Sequence, residues 1–189
     1  MKWIGERISF VDKKDYITFV IYPPNLGNKK YLILIWTILW VLIGGYVFTQ
    51  FFYEYSEKEK IALIIFMAFW LYFAVRVIRT LAYLFFGREY IKLDETALRV
   101  KNATGDYGRA RQFFIENITK FTVPEIKESS FQQAYENSPW VRGTNKIQFE
   151  HLGKIYSFGR KLPEKDAKLL FNVLTKRINQ FLKKKSKKE

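Results

Sequence analysis

The chain has 189 residues, 19% of them aromatic, and a formal net charge of +14, and it contains no cysteine. The lack of cysteine excludes disulfides, thiol nucleophiles and cysteine-based metal or iron–sulfur sites. A basic balance of this size is typical of nucleic-acid-binding proteins, but also of membrane proteins, whose Lys and Arg collect on the cytoplasmic side. The apolar segments described next favour the second interpretation, and nucleic acid is not expected as a partner.

Residues 1–30 precede the apolar segments and are expected to belong to a soluble domain. Apolar residues alternate with polar ones in two short stretches, which predicts a β-hairpin with strands Arg7–Asp12 and Tyr16–Tyr22. Two prolines end the second strand, and Asn25–Asn28 is predicted to be a loop. A pair of lysines then marks the start of the apolar region.

Residues 31–86 are predicted to form a hairpin of two transmembrane helices. Tyr31–Tyr53 is a run of 23 residues without a charge, and a second apolar run follows the polar residues 54–60. A bilayer core about 30 Å thick requires roughly 20 helical residues, so spans are expected at about 31–53 and 59–80. The alternative is a pair of buried helices in a soluble protein.

The charges around the hairpin predict its orientation. Lys29 and Lys30 flank the first span, and Arg76, Arg79 and Arg88 flank the end of the second. Since basic residues favour the cytoplasmic side, both termini are predicted to lie in the cytoplasm and the short loop outside. The expected location is the inner (cytoplasmic) membrane of a bacterium, as a multi-pass protein.

The chain after the hairpin shows mainly β-strand patterns. Alternation and turn residues predict two further hairpins and one long strand. The predicted strands are Tyr90–Leu93, Ala97–Lys101, Gln112–Val123, Lys146–Glu150 and Lys154–Phe158. Residues 125–143 lack a clear period and are predicted to be a loop with a short helix near Phe131–Tyr135.

The last predicted element is an amphipathic helix over residues 163–182. Pro163 suits the first helical position, and acidic residues follow in the first turn, where the helix dipole favours them. One face carries Ala167, Leu170, Leu174, Ile178 and Phe181. This face is expected to pack on a sheet rather than lie on the membrane, and residues 183–189 form a solvated basic tail.

The two soluble parts of the chain are predicted to form one domain. An isolated two-stranded hairpin such as residues 7–22 is marginal in water, and the strands after residue 86 would leave an open edge without it. Both segments emerge on the same membrane face if the hairpin crosses twice, so they can pair.

Seven antiparallel strands followed by a C-terminal helix resemble the plan of pleckstrin-homology-like domains, which would then comprise residues 87–182 with the N-terminal strands. The stretch Phe86–Ile91, the later Gly153–Gly159 and Leu162–Glu164 are similar to those of a family of small uncharacterised bacterial two-span membrane proteins. That resemblance implies an architecture and no known activity. The layout alone is similar to the photosystem I assembly protein.

No motif in the sequence predicts catalysis, a metal or a cofactor. His151 is the single histidine and lies beside Leu152–Gly153 in a predicted turn, where a surface position is favoured over a metal ligand because companion ligands are lacking. The stretch Gly105–Arg109 lacks the spacing and the Lys-Ser/Thr pair of a phosphate-binding loop. It is therefore predicted to be an ordinary turn.

Basic residues are the candidate contacts to lipid or to a partner. They are Arg76, Arg79, Arg88, Arg109, Arg111, Arg160 and Lys161, with Arg142 and the lysine tail on the same predicted basic surface. Two of them, Arg76 and Arg79, share a helix face. They either pair with acidic groups of a partner's membrane helix or with lipid phosphate, or they simply end the span, which is favoured because both lie late in the run. Gly44–Gly45 would allow close helix packing, within this hairpin or with a partner.

Three functions are compatible with these patterns. The preferred one is a non-catalytic accessory or assembly subunit that binds a protein partner in a larger membrane complex. The second is a module that responds to anionic lipid through its basic surface. An enzyme or transporter is disfavoured, because neither span holds a buried carboxylate or histidine and clustered catalytic residues are lacking.

Overall fold

The computed structural model describes residues 2–124 and 130–185, and within them the chain is an α+β protein with two long apolar helices and antiparallel sheets. The strands are β1 (Lys2–Ile4), β2 (Ile8–Asp12), β3 (Tyr16–Ile21), β4 (Gly87–Asp94), β5 (Ala97–Thr104), β6 (Ala110–Phe114), β7 (Ile118–Thr122), β8 (Asn145–His151) and β9 (Lys154–Arg160). The helices are α1 (Lys29–Thr49), α2 (Glu57–Phe86), α3 (Ser130–Asn137) and α4 (Glu164–Lys185).

The strands form two sheets, one in the order β1-β2-β3-β4-β5-β6 and one in the order β7-β8-β9. The helical hairpin is inserted between β3 and β4, which are nevertheless neighbours. Phe19 lies opposite Ile91 in this antiparallel pair, and Ile21 lies opposite Glu89. The N-terminal strands and the strands after the hairpin therefore share one sheet.

One hydrophobic core joins both sheets and the C-terminal helix. Phe19 and Ile91 of the large sheet, Phe149 of the small sheet and Leu170 and Leu174 of α4 are fully buried in the same cluster. Leucines four residues apart share a helix face, so α4 turns a single apolar stripe toward the sheets. The amphipathic pattern thus explains why α4 lies on the sheets.

Helix α1 packs against α2 through a glycine. A Cβ atom at Gly44 would lie 2.0 Å from the ring of Trp70, and the indole nitrogen of Trp70 donates a hydrogen bond of 3.1 Å to the Trp40 carbonyl. The remaining apolar side chains of the pair are mostly exposed, as Leu32 and Leu42 are. Both helices are long and apolar enough to cross a membrane.

The two glycines of α1 make a matched test of this packing. We expect Gly44→Ala to weaken the α1–α2 contact by roughly 1–3 kcal/mol, because the added methyl group overpacks against Trp70. Gly45→Ala is the control, because a Cβ there meets nothing within 4 Å and alanine favours helix. Denaturant unfolding of the detergent-solubilised protein measures both, and equal stability of the two variants would contradict the packing.

The structure corrects several predicted boundaries. The loop predicted at 54–60 is shorter, because Ser56 and Glu59 form a capping box that starts α2 at Glu57. Helix α2 extends beyond the predicted span end near residue 80 and ends at Phe86, the predicted end of the hairpin; β4 then begins directly at Gly87 instead of at Tyr90. A Cβ at Gly87 would lie 2.4 Å from the carbonyl oxygen of Tyr83, so a glycine is required at this junction.

Three predictions for the soluble part are also wrong in detail. The single strand predicted over Gln112–Val123 is two strands, β6 and β7, separated by a 3-10 turn at Ile115–Asn117 and placed in different sheets. Strand β1 was not predicted, so the described residues hold nine strands instead of seven. The first residues of the predicted tail are helical, since α4 reaches Lys185; residues 186–189 lie outside the described residues, as do residues 125–129 of the predicted loop. The short helix predicted near Phe131–Tyr135 is confirmed as α3.

Candidate functional site

The seven basic candidate residues occupy three separate places. Arg79, Arg160 and Lys161 lie where the helices meet the sheets, and Arg76 lies nearby on α2, where it donates to the Tyr72 hydroxyl. Arg109 and Arg111 line a groove between the sheets, and Arg88 lies on the outer face of the large sheet. Positive charge alone therefore did not identify one site. Each place is defined by different neighbours.

At the first place, the segment after α3 is docked on both long helices. The Trp140 ring packs edge-on against Trp36 of α1 at 4.6 Å between centroids, and the Thr80 hydroxyl of α2 donates a hydrogen bond of 3.3 Å to the Trp140 carbonyl. The Lys161 ammonium donates to the carbonyls of Ser138 and Val141 at 2.7 and 3.1 Å. Lys161 therefore fastens this segment to the end of β9.

Two arginines contact the ring of Tyr83 in α2. The guanidinium carbons of Arg142 and Arg160 lie 5.7 and 5.5 Å from its centroid. Burial lowers the pKa of Arg142, and the positive charges of Arg160 and Arg79 lower it further. The Nε atom of Arg142 is buried without a hydrogen-bond partner. We call Arg79, Arg142 and Arg160 the junction cluster.

A buried polar network of Glu89 and Arg7 holds the end of β9, which carries Arg160 of the junction cluster. The Glu89 carboxylate accepts backbone hydrogen bonds from Gly159 at 2.8 Å and from Arg160 at 3.3 Å. Buried Arg7 donates to the carbonyls of Tyr22, Arg160 and Lys161. The alternation of buried and outward residues along β4 directs the Glu89 side chain inward, and this alternation is visible in the sequence. No sequence pattern indicates that Arg7 is buried.

The second place is a groove of about 440 Å³ between the two sheets. Its floor is aromatic, with Phe113 packed against Phe149 and Tyr156 at centroid distances of 4.9 and 4.5 Å. Its walls carry Val100, Asn102 and Arg111 of the large sheet, Arg109 just before β6, and Asn145, Ile155 and Ser157 of the small sheet. The groove thus combines an apolar floor with a basic rim.

The groove is lined by the last strand of each sheet. Strand β6 ends the large sheet and β9 ends the small one. Within the described residues neither strand has a second hydrogen-bonded neighbour strand, so each leaves backbone donors and acceptors along one edge. Asn102 lies opposite Glu89, which is three residues after the end of α2 at Phe86, so the groove begins close to the helices.

His151 was predicted to be a surface turn residue, but it is the last residue of β8 and is half-buried. Its ring contacts Phe113 and Tyr156 at 5.3 and 6.3 Å, and its Nε2 atom is buried without a hydrogen-bond partner. Among residues 2–124 and 130–185, no group of three or more His, Asp or Glu side chains is arranged to hold a metal.

The third place is the outer face of the large sheet, where cations stack on tyrosines. Lys92 lies 4.5 Å from the Tyr16 ring centroid, and the Arg88 guanidinium lies 5.7 Å from that of Tyr22. Such pairs contribute roughly 0.5–1 kcal/mol each at exposed sites. Arg88 is therefore held on the sheet surface, away from the other candidate residues.

The chain matches no family model, no curated protein and no solved structure.

Proposed function

We propose that this chain is a non-catalytic integral membrane protein of a bacterial inner membrane that binds a protein partner, as an accessory or assembly subunit of a larger membrane complex. The helical hairpin anchors a cytoplasmic domain of pleckstrin-homology-like plan. The observation that carries the proposal is the groove bordered by the open edges of β6 and β9 beside an apolar hairpin. It supports recognition of another polypeptide.

Membrane insertion is supported by the exposure of the two long helices. Leu32, Leu42 and Ile64 are each more than half exposed, as are many apolar neighbours on all sides of the pair. A contiguous apolar surface of this extent is unusual for a soluble monomer. Insertion in lipid removes this surface from water, with Trp and Tyr side chains suited to the interfaces.

The proposed orientation can be tested by cysteine labelling, since the chain lacks cysteine. We expect Glu54→Cys, in the connection between α1 and α2, to react with an impermeant thiol reagent in cells with a permeabilised outer barrier. Lys2→Cys is expected to react only after the membrane is lysed, because basic residues hold that end in the cytoplasm. The reverse labelling pattern would invert the orientation.

Binding of a protein partner is supported by the chemistry of the groove. An extended peptide can add a strand to an open sheet edge, where main-chain hydrogen bonds provide affinity and side-chain pockets provide specificity. Arg109 and Arg111 are exposed at the rim, so acidic residues of the partner would be favoured. Phe113 and Tyr156 would contact its apolar side chains.

Site-specific photocrosslinking tests the proposed partner site in living cells. We expect a photoreactive residue at Arg111 to form one discrete adduct and the same residue at Thr18, on the outer sheet face, to form none of that size. Arg109→Glu in the Arg111 crosslinking variant should reduce the adduct, because it reverses a rim charge. Identical adducts from both positions, or none from Arg111, would contradict a partner in the groove.

A second candidate function is a membrane module that responds to anionic lipid. It is favoured by the junction cluster, where Arg79, Arg142 and Arg160 form no ion pair within the described residues. Both candidates share the membrane anchor and differ in the ligand of the soluble domain.

A further inference from the structure

We infer that the junction cluster binds the phosphate group of an anionic membrane phospholipid. The inference rests on the proposed membrane insertion, and it assigns the ligand to Arg79 of α2, Arg142 after α3 and Arg160 at the end of β9. This place is separate from the groove that the partner is proposed to occupy.

The position of the cluster relative to the bilayer follows from its attachment to the helices. Trp140 contacts Trp36, which lies seven residues after Lys29, the first residue of α1. At 1.5 Å per residue this is about 10 Å along the helix axis from the charged start of α1. The segment carrying Trp140 and Arg142 therefore reaches the level of the headgroups beside the helices.

Tryptophan and arginine suit that level for different reasons. Trp36 and Trp140 form an aromatic pair at the depth where Trp side chains anchor membrane proteins. Arg79 lies one residue before Thr80, which is bonded to Trp140, so Arg79 and Arg142 flank the same contact. Arginine stems lie along apolar surface while their heads reach the phosphate layer.

The charge balance of the cluster favours an anion. Glu89, whose negative charge acts on Arg142, already accepts two backbone hydrogen bonds at the end of β9. The Nε–H group of Arg142 is a buried donor without an acceptor, and leaving such a donor unsatisfied costs free energy. A phosphate oxygen would supply the acceptor and the negative charge together, and guanidinium groups bind phosphate in a bidentate manner.

The other basic candidate residues do not meet these conditions, and the first of them, Arg76, donates to the Tyr72 hydroxyl of its own helix. Arg88 stacks on Tyr22, and the Lys161 ammonium is bonded to two carbonyls. Arg109 and Arg111 line the groove. The junction cluster alone combines several arginines, a buried unsatisfied donor and direct attachment to both long helices among the described residues.

Lipid titration of the full-length protein in detergent, followed by native mass spectrometry, tests the inference. We expect the wild type to retain one phosphatidylglycerol molecule in preference to phosphatidylcholine. The double variant R142Q/R160Q should weaken phosphatidylglycerol binding by about tenfold or more, because charge-assisted hydrogen bonds to phosphate are lost. The matched control R109Q/R111Q removes the same charge from the groove and should bind as the wild type does.

Further arms separate the alternatives. Arg79→Gln, at an exposed position, should also weaken binding, and it keeps the result interpretable if the double variant loses its fold. Inorganic phosphate should not displace the lipid, and displacement would indicate a site for a small soluble anion. Equal weakening in R109Q/R111Q would show that net charge alone drives binding and would overturn the site. The Arg111 crosslink should persist in R142Q/R160Q, so failure of either proposal is seen independently.

Discussion

Substitution Phe19→Asp is expected to unfold the whole soluble domain, including the part that follows the helical hairpin. Phe19 is fully buried in β3, stacks on Phe10 of β2 at 5.6 Å and pairs with Ile91 of β4. Removing a buried phenylalanine costs roughly 3–5 kcal/mol, and an unpaired carboxylate in the core adds to this. The sum is comparable with the roughly 5–15 kcal/mol that stabilises a typical domain.

Limited proteolysis of the full-length protein measures the effect. In the wild type, residues 88–182 should resist cleavage except in exposed loops, and in Phe19→Asp they should be cleaved rapidly. Thr18→Asp is the matched control, because its side chain lies on the outer face opposite Lys92 and gains an opposite charge. If residues 88–182 of Phe19→Asp stayed as resistant as the wild type, strands β1–β3 would not belong to the same cooperative unit.

Regular elements were predictable because their signals are local. Strands β8 and β9 show alternation on either side of the turn at Leu152–Gly153, and α4 shows a helical period from Ala167 to Phe181. The long apolar runs gave α1 and α2 by length alone. The start of β4 was predicted three residues too late, at Tyr90, because the strand follows α2 at Gly87 without a connecting loop.

The break between β6 and β7 was not predictable in the same way. The residues from Gln112 to Thr122 are β-branched or aromatic throughout much of the segment, so their propensity is uniform. The chain nevertheless bends at Ile115–Asn117 because the two halves pair with different sheets. Ile115 is buried at this corner, so packing across the core determines the bend, and propensity does not.

The candidate site was only partly predictable, because the sequence shows which residues are charged but does not show which distant residues they contact. In the sequence, Lys161 and Arg142 are both simply basic residues of a predicted basic surface. In the structure, the Lys161 ammonium is bonded to two carbonyls, whereas the Arg142 guanidinium lies over the ring of Tyr83. Those outcomes depend on contacts between residues that are 20 to 70 positions apart, such as Glu89 with Gly159. Single-sequence patterns do not encode such pairings.

Substitution Arg7→Met is expected to destabilise the domain by about 3 kcal/mol or more. Arg7 is only 9% exposed and donates to the carbonyls of Tyr22, Arg160 and Lys161. Burial lowers its pKa, while Tyr83, Glu89 and Asp166 favour its charged form. Methionine retains the apolar stem but leaves several buried acceptors unpaired, at roughly 1–3 kcal/mol each, and leaves Glu89 without a nearby buried cation.

Lys13→Met is the control for this charge change, because Lys13 is exposed in the turn between β2 and β3. Denaturant unfolding in detergent should place Lys13→Met close to the wild type and Arg7→Met well below it. Arg7 does not belong to the junction cluster, yet it holds the carbonyls of Arg160 and Lys161 at the end of β9. Its loss should therefore also weaken phosphatidylglycerol binding under conditions where the variant remains folded. If Arg7→Met kept the stability and the lipid binding of the wild type, the turn between β1 and β2 would not support the end of β9.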